Sequence, residues 1–593
     1  MRSKLQIPDT AYRWIMVAAI VYCIIFAIQW MGDPLARLPQ ADAKENLTLA
    51  YLISRHSLPL EPFYRAMLYP WILSFFAGLQ GWAQIALFAG LGLHILAAFQ
   101  VRHLTLQIWE SDKSGLIAFL LYILNPASLF FSLQVMDMTL AIVLFLGAMQ
   151  CLLRNDRQSR SLSLAGGLLA GLACLARPHF LPAALVLILL PLLRKQAIKE
   201  RTLSSGLILA GLSLMLLFQG ILNYRHAGEF RILPWQGPYN LYAANREGAN
   251  GLYYGHTMEL TGETYLNAAR RESELIYESA TGETVPFDIS RFNRFWKDQF
   301  KDRVAGDPLG WARLIAFKAY AVLNSYEQYN NLTFSYHKER FPLLRYNPMN
   351  WGILLILGSF GAVYLASRDW KAAAILSGLI LAYSVSLILY YASARFRLPL
   401  APVLAVFAGG IPVLPGAARL NWRSLILPGA IGLLFGLLTF SSFAGIRDEK
   451  TYLQDRLLLA GAHSLLGNDL QAAELARTAL KVQPKRHTAN VLYLKSYLFL
   501  RMTGDEAYRQ FGEWEEQKKW IKFDAVDDPD LAVFFGFYLW NWDMKDVARD
   551  IWQDNIESSD LARRTLAVID GTAVIDDKTL ALQRLLEEEN END

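Results

Sequence analysis

Two acids and a few arginines stand where side chains of their kind are costly. Asp42 follows the first apolar run, in LPQADAKENLTLAYLISRHSLPLEPFYRAMLYP, and Asp137 lies between apolar runs in NPASLFFSLQVMDMTLAIVLF. A carboxylate at an apolar boundary is a functional candidate by default, since an unpaired one is expensive there. It can take a proton from a hydroxyl or hold a cation. Arg177 directly follows an apolar run, and Arg395 and Arg397 flank the start of another in YYASARFRLPLAPVL. Arginine is always charged and presents a fork of donors, which suits a phosphate. The plainer readings are a solvated loop residue or helix cap for Asp42 and arginines that snorkel at a membrane surface.

Other motif chemistries are missing. The sequence has no P-loop, HExxH, CxxC pair, GxSxG elbow or nucleotide-binding GxGxxG after a strand. Gly167 and Gly171 form a GxxxG inside an apolar run, a pattern of close helix packing. Cys23, Cys151 and Cys174 lie in or at the end of apolar runs and read as packing residues, not a disulfide framework. One long polar stretch, 223–349, gathers aromatics and amides: Trp235, Tyr239, Asn240, Tyr242 and Asn245, then Lys318, Tyr326, Glu327 and Tyr329. Such a set suits a sugar, and equally a packed loop at a membrane surface.

The elements that must position these groups follow from composition. Of 593 residues, 54% are hydrophobic and 19% charged, with a mean hydropathy of +0.22, which excludes a soluble cytoplasmic enzyme and reads as a polytopic, all-α membrane protein. Apolar runs predict spans at 14–31, 82–101, 114–133, 136–153, 162–176, 180–193, 203–222, 350–366, 372–391, 399–415 and 424–443. Met67 to Leu79 is either a further span or a helix at the interface. With the N-terminus in the cytoplasm, the clusters Arg154/Arg157/Arg160, Arg194/Lys195/Lys199/Arg201, Arg368/Lys371 and Arg419/Arg423 all fall inside, as the positive-inside rule requires. The acids, the arginines and the long stretch then share the outer face. Charge confined to one face, with little at the midplane, disfavours a transporter.

Net charge divides the chain again. Residues 1–448 carry +13 and residues 449–593 carry −9, so a basic apolar body, 1–447, precedes an acidic domain, 448–593, expected on the outer side. In LAGAHSLLGNDLQAAELARTALKVQP, Ala460, Ala472, Ala479 and Pro484 match the small-residue and terminal-proline positions of a tetratricopeptide repeat, with Gly467 in its turn. Further helices are expected from about Thr488 and near 530–541, 544–557 and 577–590. Such a domain binds a protein partner or simply caps the body.

Taken in order, the first-loop aspartate leading to YRAMLYP, NPASLFFSLQVMD, GLLAGLACLARPHFLP, NYRHAGEFRILPWQGPYNLYAANREGANG and ARFRLPLAP resemble bacterial GT-C superfamily glycosyltransferases. The resemblance covers about 30–415 and is to the branch related to protein O-mannosyltransferases and the lipid A aminoarabinose transferase. It implies a GT-C type body of about 11 to 13 helices with a mixed outer region, in a bacterial inner membrane. It also implies a polyprenyl-phosphate sugar as donor, an acceptor hydroxyl on a lipid, glycan or protein, and no nucleic acid.

By that resemblance Asp42 is the catalytic aspartate, acting as base, and Asp137 the second acid. Arg395, with Arg397, Arg177 and Lys318, would hold the donor phosphate. Glu45, Arg65, Tyr69, Tyr239, Asn240, Tyr242, Asn245 and Glu327 fall among the substrate-binding residues. A single displacement inverts the anomeric configuration. Asp137 would orient the acceptor, hold Arg177 or share a divalent metal with Asp42; the metal is left open. The first-loop motif reads Asp42-Ala43-Lys44-Glu45 in place of the adjacent acid pair of protein O-mannosyltransferases, which tells against a protein acceptor. An O-antigen polymerase or ligase, and a membrane-anchored repeat scaffold without catalysis, are the competing readings.

Overall fold

The computed structural model describes residues 9–153, 159–193, 197–252, 268–283, 288–329, 332–414, 423–446, 450–484, 486–502, 506–511, 529–541 and 543–572. Arg154, Arg157, Arg194, Lys195, Arg419 and the helix expected near 577–590 lie outside the described residues. Every regular element described is a helix, including those of the 223–349 stretch. The chain divides into two compact units, the second made up chiefly of the residues from Lys450 on.

In the first unit, five helices are long and apolar enough to cross a membrane: Thr10–Met31, Trp82–Trp109, Ile198–Ala227, Trp351–Arg368 and Trp370–Leu389. The protein is a multi-pass membrane protein. Shorter apolar helices, Met138–Leu153, Arg160–Ala176, Pro178–Leu193, Leu400–Val413 and Leu425–Phe440, coincide with the remaining runs. Leu400–Ala408 covers only about 14 Å at 1.5 Å per residue, under half a hydrocarbon core. Leu68–Ser74, seven residues, is far too short to be a span.

The expected span 114–133 is broken. Asp112–Ile123 and Pro126–Ser132 meet at 59°. Pro126 has no N–H to continue the ladder and pushes Asn125 out of helical geometry, to φ −65°, ψ 112°, whence the Asn125 side chain caps the new helix through Ser128 N at 2.9 Å. The carbonyls freed by the break are taken up by neighbouring helices, as an apolar surrounding demands. His94 Nε2 and the Cys23 thiol reach Ile123 O at 3.0 and 3.6 Å, and Asn347 Nδ2 donates to Leu124 O at 2.9 Å.

Glycine sets the closest packing. A Cβ on Gly167 would lie 2.2 Å from Ile208 O, and one on Gly211 2.7 Å from Leu164 O, so Arg160–Ala176 and Ile198–Ala227 touch backbone to backbone.

The second unit is a run of helical hairpins. Leu453–Leu465 pairs with Asp469–Val482, which pairs with His487–Met502 around Ala460, Ala476, Ala479, Tyr493 and Tyr497. A second core gathers Pro529–Asn541, Lys545–Asp554 and Asp560–Ile569 about Trp552.

Candidate functional site

Three segments of the first unit bring the chemistry together. Asp42 opens the helix Asp42–Ser54, where a negative charge is favoured by the N-terminal end of the dipole. The residue before it, Ala41, is held at φ +51° and ψ −131°, a conformation that costs a non-glycine residue about 1–3 kcal/mol. Asn46, one turn on, is buried and donates to Val135 O at 2.9 Å. That bond ties the Asp42 helix to the turn carrying Met136 and Asp137, which follows the short helix Pro126–Ser132. The third segment, 390–399, leaves the end of Trp370–Leu389, whose last carbonyls would otherwise be orphaned. Asn245 Nδ2 donates to Leu389 O at 2.8 Å and Lys318 Nζ to Tyr390 O at 2.9 Å.

Within this frame two ion pairs converge. Arg395 Nη1 lies 2.7 Å from Asp42 Oδ2, and Arg177 Nη1 lies 2.8 Å from Asp137 Oδ1. Both guanidiniums pack on one ring, Phe396, with Arg177 Cζ 4.6 Å and Arg395 Cζ 4.9 Å from its centroid. Tyr383 OH fixes that turn by donating to Phe396 O at 3.0 Å. The arginine side chains are only 7–8% exposed, whereas Asp42 is 30% exposed and is the open member of the set. Arg177 Nε and Arg395 Nε are buried without a hydrogen-bond partner among the described residues. Two buried donors left over beside two cations amount to unspent capacity for an anion.

Electrostatics separates the two first-loop carboxylates. Burial works to raise the Asp42 carboxyl, but Arg395, Arg65 and Arg177 outweigh it and hold Asp42 below the usual carboxylate range. Glu45 goes the other way: burial raises it, the Asp42 charge adds, and its bonds from Arg65 and Tyr64 only partly offset this.

The remaining sequence-derived candidates fall elsewhere. Arg397 is turned away from Asp42. It bonds Asn324 O, Tyr326 O at 3.3 Å and Glu327 at 3.0 Å, and stacks 4.5 Å over Trp351. Lys318 is fully buried, its Nζ spent on Ala244 O, Asn245 Oδ1 and Tyr390 O at 2.8–3.0 Å, and burial among these neutral acceptors pushes it down to about 7. Tyr239 donates to Glu272 at 2.9 Å and packs with Trp296, Tyr242 lies 4.9 Å from the same indole, and Asn240 is half-buried beside them. Tyr69 is buried in its short helix. Phe396, Met136 and Tyr64 carry no signal in the sequence beyond standing next to the acids and arginines. Among the described residues no three of His, Cys, Asp and Glu converge on one point, and each aspartate already has a cation, so the donor set does not fit a divalent metal.

No family model matches the chain, nor does any curated protein. Among solved structures it is similar to the archaeal oligosaccharyltransferase AglB from Archaeoglobus fulgidus, in complex with an inhibitory peptide and a dolichol-phosphate. That likeness is 14% identity at a TM-score of 0.37, over 76% of this chain and 58% of that one, so the chain spans little more than half of AglB. It is also similar to ArnT from Cupriavidus metallidurans bound to undecaprenyl phosphate, at 13% identity and a TM-score of 0.39, over 89% of this chain and 80% of that one.

Proposed function

We propose that the protein is a membrane glycosyltransferase that moves a sugar from a polyprenyl-phosphate donor to an acceptor hydroxyl on the outer face, with inversion. The observation that carries the reading is the pair of arginine–aspartate bridges meeting on Phe396, with a half-buried carboxylate and buried cations within one cluster. The motif order of the sequence agrees with it.

In this reading Asp42 takes the proton of the acceptor hydroxyl, whose oxygen then bonds to the anomeric carbon. The bond from that carbon to the phosphate oxygen breaks, and its electron pair leaves on polyprenyl phosphate. Arg395 and Arg177 stabilise the charge that develops there, the larger share of the rate. Asp42 paired to Arg395 is a weak base, since the pair holds its carboxyl low. A donor phosphate offers Arg395 a second anion, and sharing the guanidinium raises the basicity of Asp42 when substrate arrives. Asp137 is then a positioning residue that fixes Arg177.

The test is mass spectrometry of extracted lipids and surface glycans from cells carrying wild type, a deletion, and Asp42→Asn at matched expression. Loss of one sugar from one acceptor in both mutants, with polyprenyl-phosphate sugar accumulating, supports the transferase. A wild-type pattern in Asp42→Asn overturns it.

A further inference from the structure

Three carboxylates and three arginines meet around Asp42, and they pair one to one. Beside the Asp42–Arg395 and Asp137–Arg177 bridges stands a third, Glu45 with Arg65. Fully ionised, the set carries three negative charges against three positive ones and is neutral. A donor phosphate adds an anion to it. In a largely buried cluster that further charge is costly unless one acid gives up its own by taking a proton.

Position singles out the acid. Asp42 must stay ionised to act as base. Glu45 stands one helical turn after it on Asp42–Ser54, so the two carboxylates share a face and repel. Burial and the Asp42 charge together already raise the Glu45 carboxyl. Its partner Arg65 also feels Asp42 and Asp137, so it keeps other anions to face once Glu45 is neutral. The Glu45 side chain is 22% exposed, and water can deliver the proton. The Tyr64 hydroxyl donates to Glu45, which favours the ionised form and opposes the change. The groups that act on Glu45 are therefore Arg65 and Tyr64 from the first loop and Asp42 on its own helix, while Asp137 acts on Arg65 and Glu61 on Tyr64. The titratable group of the short helix Leu68–Ser74, packed against Asp42–Ser54, is Tyr69, which feels Asp137.

We propose that Glu45 is a positioning residue that holds Arg65 before the donor arrives and takes up a proton from water when the donor phosphate enters, releasing Arg65 toward the new anion. The inference rests on the transferase reading and goes beyond it in naming where the added charge is balanced. Its sign is fixed by linkage. Glu45 holds its proton more tightly in the complex than in the free protein, so wild-type affinity for the lipid falls as pH rises through the interval between the two states.

The test is calorimetry of undecaprenyl phosphate binding to the purified full chain, from about pH 5 to about pH 9 and in two buffers of different ionisation enthalpy, which counts the protons taken up. The lipid phosphate itself titrates at about 6 and cancels when proteins are compared. Glu45→Gln mimics the protonated acid. It is expected to take up as much as about one proton fewer than wild type, and its affinity relative to wild type should rise at least about tenfold across that range. Tyr64→Phe leaves Glu45 and Arg65 in place and guards against a misfolded Glu45 variant; it keeps the proton uptake but moves its interval to higher pH, because the ionised form has lost a donor. Uptake that survives in Glu45→Gln, weaker binding by Glu45→Gln at every pH, or an interval unmoved in Tyr64→Phe overturns the assignment while leaving transfer itself intact. Failure of wild type and both variants to bind undecaprenyl phosphate brings down the donor reading, and the role of Glu45 with it.

Discussion

At the residue scale, the Asp42–Arg395 pair makes the sharpest claim. Asp42→Asn keeps size and one acceptor oxygen but removes the base and releases Arg395 from its partner. Transfer is expected to fall about 10²- to 10⁴-fold, while undecaprenyl phosphate binds as tightly or tighter, measured by thermal shift on purified protein. Arg395→Ala has the opposite signature, weaker lipid binding together with lost transfer. Lys318 yields a pH prediction. Its ordinary value of 10.5 is lowered to about 7 in the fold, so between those pH values the unfolded chain holds a proton that the folded one lacks. Stability therefore climbs as pH rises from about 7 to 10.5, by about 5 kcal/mol in all for this group. In Lys318→Met that slope is lost, and the Ala244 and Tyr390 carbonyls lose the lysine donor at about 1–3 kcal/mol each, while Asn245 Oδ1 keeps the Trp311 indole N–H. Thermal melts across that window decide it; an unchanged slope refutes the buried-lysine account. Sequence alone groups Arg395 with Arg397 and Lys318 as one phosphate patch. Nothing in an irregular ARFRLP turn tells which way each guanidinium points, and the structure gives the three to different partners.

At the element scale, the apolar runs were legible because a membrane leaves the backbone no alternative to helix, and each expected span has a helix on it. What hydropathy could not show is length against tilt and breakage. The run 114–133 averages over Asn125-Pro126, although that dipeptide is itself a break signal. The break starts the short helix Pro126–Ser132, and the turn of Met136 and Asp137 comes directly after it. The GxxxG reading meets a concrete contact: Gly167→Val would drive a side chain into Ile208 O, a backbone atom that cannot turn aside. A loss of about 1–3 kcal/mol or more is expected, seen as reduced thermal stability and yield. Gly206→Ala, in the partner helix with nothing within 4 Å, serves as the control and should change little. Equal melting of the two variants would mean that the helices do not pack as described.

At the scale of the whole molecule, the open question is whether the acidic tail works in the chemistry. The tail carries its own cores, one of alanines and tyrosines between Leu457 and Phe511 and one around Trp552, and the helical hairpins there bury their apolar faces on one another. An element with a self-sufficient core does not need the membrane body to fold. Every residue assigned to base, phosphate or acceptor handling precedes Lys450. A chain ending at residue 449 is therefore expected to bind undecaprenyl phosphate within about twofold of the full chain and to keep transfer per folded molecule within about threefold. The repeat-scaffold reading demands the reverse: truncation abolishes the phenotype and Asp42→Asn leaves it intact. Measuring the truncation and Asp42→Asn side by side, with lipid binding as the check on folding, separates the two. If the truncated chain binds the lipid normally but transfers nothing, the tail is needed at the acceptor stage, and its net charge of −9 becomes the first feature to alter, with charge-neutralised tails expected to lose transfer in the full chain.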